Sequence, residues 1–228
     1  MYPCSCGATI LGDSKMTKLQ LALDDILLDE ALELLDDLED YVDIVEVGTP
    51  FMMQYGMASV QAIKQKFPEM TVLCDTKIMD AGAYEAEIAF KAGADIITVL
   101  GVTDDLTILD CVKVANEYGR QVMIDFICVE DIGQRTQEVA DMGVDIVAVH
   151  TGVDQQAAGR TPLDDLKEMS QHSGDTLVAV AGGINQDVLT TYLAEHPNII
   201  IIGGGILNAA NPVKETEEIV EKMRVRSI

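Results

Sequence analysis

Residues 177–205 read LVAVAGGINQDVLTTYLAEHPNIIIIGGG. Two short apolar strands, LVAVA and NIIII, each run straight into glycine. Bare backbone N–H groups placed directly after a strand suit phosphate oxygens, and in (β/α)8 barrels phosphate sites recur after strands seven and eight. Working back toward the N-terminus, the same kind of run recurs as LQLALDD (19–25), VDIVEVG (42–48), TVLCDTK (71–77), ADIITVLG (94–101), QVMIDFI (121–127) and VDIVAVH (144–150). Between the strands lie stretches such as LDEALELLDDLEDY, whose apolar residues fall at helical spacing. The sequences KAGAD, EYGRQ and DMGVD put glycine at the end of a helix just before a strand, the usual C-cap position. Eight strand–helix units predict an α/β fold, a single (β/α)8 TIM barrel. A doubly wound open sheet shares the alternation and is the runner-up; the count of eight and the two glycine runs favour the barrel.

The chain has 228 residues, 48% of them apolar, enough for one sizeable core. Its net charge of −24 argues against nucleic acid and anionic membrane as partners. An anionic substrate therefore needs a local positive site. No apolar run is long enough for a membrane span, and MYPCSCGATILGDSK lacks the pattern of a signal peptide. Five cysteines in a chain of this size suit a reducing cytoplasm. Cys4 and Cys6 form an isolated C-x-C, too little for a metal site on its own. Residues 1–15 are expected to be a disordered extension and 16–228 the catalytic barrel, with Met16 resembling an alternative start.

Side chains alternate along a strand. In LQLALD, Leu19, Leu21 and Leu23 share the face that packs on helices, so Gln20, Ala22 and Asp24 point into the barrel. The same rule turns Glu46 inward on strand two. Asp75 and Lys77 share a face on strand three, Asp125 lies inward on strand five and His150 on strand six. Five strands thus deliver ionisable groups to the carboxyl-terminal mouth, where barrel active sites lie. Clustered buried charges need partners or a ligand. Four acids with one lysine and one histidine suit a hard divalent cation, leaving Lys and His for proton or charge work. His172 and His196 fall in polar stretches and read as solvated surface groups. Gly182, Gly183, Gly203 and Gly204 are the candidate phosphate cradle.

DTKIMDAG (75–82) carries the D-x-K-x-x-D signature of the orotidine 5′-phosphate decarboxylase suprafamily. LQLALD, DIVEVGTP, DTKIMDAGAYEAEIAFKAGAD, VHTGVDQQAAG and AVAGGIN resemble the 3-hexulose-6-phosphate synthases, from about Leu19 to the C-terminal helix. The orotidine enzymes carry D-x-K-x-x-D-I-P; here Asp80 is followed by Ala81 and Gly82, and strand two ends in Glu46. That resemblance points to the Mg2+-dependent branch, with Glu46 and Asp75 as metal ligands. The 3-keto-L-gulonate-6-phosphate decarboxylases of this branch typically have Glu on strand five and Arg three residues past the strand-six His. Asp125 and Val153 stand there instead, as in the synthases. The decarboxylases also place an Arg near Gly204, which this chain lacks. Ribulose-phosphate 3-epimerases use a two-His, two-Asp metal set that one mouth histidine cannot supply.

The implied reaction is a reversible aldol condensation of D-ribulose 5-phosphate with formaldehyde through a 1,2-enediolate. By resemblance Lys77 shares the developing charge, Asp24 binds substrate hydroxyls or orients Lys77, and Asp80 reaches a neighbouring subunit's site, implying a homodimer. His150 is the candidate general base and Asp125 orients it or shares the proton; the sequence does not rank the two. Decarboxylation of 3-keto-L-gulonate 6-phosphate, and phosphosugar binding without catalysis, are the alternatives.

Overall fold

In β1 (Lys18–Leu23) the leucines at 19, 21 and 23 are buried outward while Gln20 and Ala22 face the barrel axis. The same two-residue period governs β2 (Ile44–Val47), β3 (Thr71–Ile78), β4 (Ile96–Leu100), β5 (Gln121–Asp125), β6 (Ile146–His150), β7 (Leu177–Ala181) and β8 (Ile199–Ile202). All eight are parallel, pair in sequence order and close when β8 meets β1. This computed structural model describes residues 16–225. The expected N-terminal extension, with Cys4 and Cys6, lies outside the described residues. The expected (β/α)8 barrel is the fold observed.

Two apolar layers follow from the alternation. Ile44, Leu73, Ile96, Met123, Ile146, Ala148, Ala179 and Ile199 fill the inside of the barrel. The opposite strand faces pack against the helices in a second, larger layer. The helices are α1 (Leu28–Leu38), α2 (Thr49–Tyr55), α3 (Met57–Lys66), α4 (Gly82–Ala92), α5 (Asp105–Tyr118), α6 (Ile132–Asp141), α7 (Val153–Ala157), α8 (Leu163–His172), α9 (Leu189–Leu193), α10 (Gly204–Leu207) and α11 (Pro212–Val225). In α1 the buried residues are Ala31, Leu35 and Leu38, one stripe at helical spacing. Asp104 caps α5 by accepting from the Leu106 N–H, and Gly119 closes it in the left-handed conformation.

Most strands are shorter than the sequence runs suggested. β8 stops at Ile202 because Gly204 and Gly205 open α10 instead of extending the sheet. β3 is longer than expected, reaching Ile78 through an irregular register between Cys74 and Ile78.

The base of the barrel carries a repeated lock. One residue before each even-numbered strand, an acid or amide accepts a backbone N–H from the preceding odd strand. Asp43 takes Leu19 N (2.9 Å), Asp95 takes Val72 N (2.9 Å), Asp145 takes Val122 N (2.8 Å) and Asn198 takes Val178 N (2.8 Å). Asp95 alone of the four also binds two cations, Lys64 Nζ at 2.7 Å and the Arg120 guanidinium, while itself 2% exposed. Losing a buried, multiply bonded carboxylate costs far more than losing one hydrogen bond. Asp95→Ala is expected to destabilise by roughly 3 kcal/mol and exposed Asp43→Ala by about 1 kcal/mol in denaturant titrations; equal losses would show that the cation pairs at Asp95 contribute nothing.

Candidate active site

The carboxyl ends of the strands surround a cavity of about 680 Å3. Asp24, Glu46, Asp75, Lys77, Asp125 and His150 all line it, together with Gly182, Gly183, Gly203 and Gly204. Ten of the sequence-selected residues are therefore brought together. The eleventh, Asp80, is not: it is exposed, does not line the cavity, and its Oδ1 accepts from the Ala81 N–H at 2.7 Å. His196 is exposed, and His172 lies half-exposed beside Glu168.

Asp75, 5% exposed, is the centre of the charged network. Its Oδ2 receives Lys77 Nζ at 2.5 Å and Thr49 Oγ1 at 2.8 Å; its Oδ1 receives Thr98 Oγ1 at 2.7 Å. Lys77 Nζ also lies 3.1 Å from Asp125 Oδ2. Burial works against the Lys77 charge, but Asp75 and Asp125 outweigh it, so the ammonium is held well above its ordinary range. Lys77 is the sole Lys or Arg among the described residues of the cavity wall.

Asp125 accepts the Ile127 N–H at 2.8 Å and faces His150 Nδ1 at 2.9 Å. Burial raises its proton affinity, yet the hydrogen bond from His150 and the charge of Lys77 outweigh that and hold the carboxyl below its usual range. A carboxylate occupied in this way orients the imidazole through Nδ1–H and leaves Nε2 as the ring nitrogen free of that contact.

Glu46 has the opposite environment. It is buried beside Asp75 and Asp24, and its one hydrogen-bond donor among the described residues is Gln20 Nε2 at 2.7 Å. Burial and the Asp75 charge push its carboxyl up to about 8, against which the Gln20 bond is too weak. Gln20 Oε1, also buried, has no hydrogen-bond partner among the described residues. Asp24 sits past the end of β1, and burial and the charge of Asp75 raise its carboxyl as well. A side chain at position 48 would collide with the Asp24 carboxylate and the Leu23 carbonyl, so Gly48 is what lets Asp24 lie there.

Across the cavity, Gly182 has φ +122°, and a Cβ there would come within 2.7 Å of the Thr151 carbonyl. Gly204 begins the short α10, whose first amides have no acceptor within the helix. Sequence reading missed Thr49, Thr98 and the side-chain role of Gln20. Strand parity turns Thr98 inward with Ile96, which is a usable signal; Thr49 lies on α2 and gives none.

The family model described as orotidine 5′-phosphate decarboxylase / HUMPS family matches residues 17–219. The chain belongs to this family. It is 44% identical over 201 residues to a 3-hexulose-6-phosphate synthase of Staphylococcus haemolyticus, covering 88% of this chain and 96% of the relative. It is 45% identical over 194 residues to the Bacillus subtilis protein of the same name, covering 85% and 92%. The crystal structure of 3-hexulose-6-phosphate synthase from Salmonella typhimurium superposes with a TM-score of 0.90 at 46% identity, covering 93% of this chain and all of that one. No helix of the described residues is long and apolar enough to cross a membrane.

The Glu46 carboxyl fixes the sign of a pH effect. A carboxyl raised from 4.5 to about 8 stabilises the fold below its unfolded value, and that stability is lost as pH rises toward 8. In chelator, the thermal midpoint should fall between pH 6 and 8 for wild type and fall less for Glu46→Gln. Parallel profiles would mean that Glu46 ionises without strain.

Proposed function

We propose that the protein is a cytoplasmic 3-hexulose-6-phosphate synthase, an aldehyde-lyase that reversibly condenses D-ribulose 5-phosphate with formaldehyde to D-arabino-3-hexulose 6-phosphate, with Mg2+ as cofactor. The observation that carries the reading is the convergence of Glu46, Asp75, Lys77 and the Asp125–His150 pair on one cavity. The names of relatives 44–46% identical support it.

The residues fit Mg2+. Glu46 and Asp75 offer hard oxygen donors, and Mg2+ is commonly held by one or two carboxylates with substrate and water completing the shell. The strain on Glu46 and the orphaned Gln20 Oε1 fit a site that a cation completes. Bound there, Mg2+ supplies Lewis-acid polarisation of the ketose carbonyl.

The chain's own groups do the remaining work. Lys77 sets an ammonium where negative charge develops as the 1,2-enediolate forms. His150 accepts the C1 proton at Nε2. Asp125 is the poorer base because its oxygens are already occupied, so it orients the ring. Asp24 meets the substrate hydroxyls. The backbone amides of Gly182, Gly183, Gly203 and Gly204 hold the phosphate, as the loops after strands seven and eight do in many barrels.

Asp80 acts in a homodimer with shared sites. It stands outside its own cavity, on the side where Met79, Tyr84, Leu106 and Leu109 are exposed at 51%, 68%, 72% and 45%. A band of large apolar side chains on α4, α5 and the adjoining β3–α4 loop suits a second copy of this chain.

Metal-dependent loss of ribulose 5-phosphate and formaldehyde, with a hexulose phosphate appearing, is the expected result. Inactivity of folded, Mg2+-loaded protein, or release of CO2 from 3-keto-L-gulonate 6-phosphate at a higher rate, would overturn the reading. Lys77→Ala should lower kcat by about 10^3-fold while leaving the fold intact, comparable to losing an oxyanion-stabilising donor; a wild-type rate would remove Lys77 from the chemistry. Mixing Lys77→Ala with Asp80→Asn after subunit exchange should restore roughly a quarter of wild-type activity, because half the dimers regain one intact site. No recovery despite demonstrated exchange counts against sharing.

A further inference from the structure

Three consecutive residues of β3 are bound to one residue of β4. Thr98 Oγ1 donates to Asp75 Oδ1 (2.7 Å) and accepts the backbone N–H of Lys77 (2.8 Å). The Thr98 carbonyl accepts Thr76 Oγ1 (2.7 Å). Thr98 is 3% exposed. It sits at the one irregularity in the β3–β4 pairing, between the pairs Cys74–Ile97 and Ile78–Val99, so that 75, 76 and 77 all face position 98.

The irregularity puts Lys77 at φ +46°, a left-handed conformation that side-chain-bearing residues seldom adopt. Such strain persists where the surroundings over-determine it. A hydroxyl can donate and accept at the same time. Here it ties the side chain of Asp75 to the backbone of Lys77. Thr49 holds the other Asp75 oxygen but does not reach the Lys77 backbone.

We propose that Thr98 is a positioning residue that sets the Lys77 ammonium against Asp75 and so aims it at the reacting oxygen. What the ammonium does there rests on the synthase reading; where it sits does not. Valine has the shape of threonine with neither hydrogen-bonding function, whereas serine keeps both.

The test compares Thr98→Val and Thr98→Ser by kcat and KM for ribulose 5-phosphate, thermal midpoint and crystal structure. Thr98→Val should lose roughly 10^2-fold in kcat, the scale of an ångström-level misplacement, with KM changed by less than about three-fold, as expected for a contact felt in the transition state. Thr98→Ser should recover most of the rate, and crystals of Thr98→Val should show Lys77 Nζ displaced from Asp75. Wild-type kcat in Thr98→Val, or equal impairment in Thr98→Ser, would overturn the proposal. If Thr98→Val does not fold, Thr98→Ala is read in the same way. Should the wild type turn over no substrate, the synthase reading fails and the crystal structure still decides: an undisplaced Lys77 refutes the role of Thr98, and a displaced one supports it.

Discussion

Everything at the mouth of this barrel depends on one electrostatic constraint. Glu46, Asp75 and Asp125, on β2, β3 and β5, are removed from water, and a single ammonium, Lys77, touches two of them. Like charges in a confined space of reduced dielectric repel strongly unless cations or hydrogen bonds compensate. Asp125 is compensated by His150, Lys77 and a backbone amide. Asp75 is compensated by Lys77 and two threonine hydroxyls. Among the described residues Glu46 has only the Gln20 amide, and its raised proton affinity records the shortfall. The proposed Mg2+ site at Glu46 and Asp75 would relieve that shortfall.

The scaffold serves this arrangement by keeping stability and chemistry at opposite ends. At the base, Asp43, Asp95, Asp145 and Asn198 each accept an N–H from the neighbouring strand. At the top the same strands end in groups that are strained or under-compensated. Lys77 is left-handed, the register slips, and glycine replaces side chains where the backbone must come close. Barrels commonly divide labour in this way, with catalytic residues at the carboxyl ends of strands.

Much of this was legible in the sequence because strand parity is a strong rule. Gln20, Glu46, Asp125 and His150 face inward as the period of two requires, and the glycine runs after β7 and β8 border the cavity. Parity also turns Lys77 inward, but it could not show the irregular register that sets its backbone. The partners of the charged groups were harder to see. Thr49 reaches Asp75 from α2, across the β2–β3 boundary, and no local pattern in TPFMMQY announces that contact. Asp80 lies past the end of β3, exposed, with its Oδ1 engaged by the Ala81 N–H. Its resemblance-based role therefore needs a second copy of the chain.

The central claim is that this mouth exists to form and hold an enediolate, with formaldehyde as the electrophile that captures it. The most direct measurement is exchange of the C1 hydrogen of ribulose 5-phosphate in D2O without formaldehyde, followed by proton NMR. Mg2+-dependent exchange at one of the two C1 positions, abolished in His150→Ala, is the predicted result. Aldol product formed with no exchange under any metal condition would contradict an enediolate formed freely before formaldehyde binds.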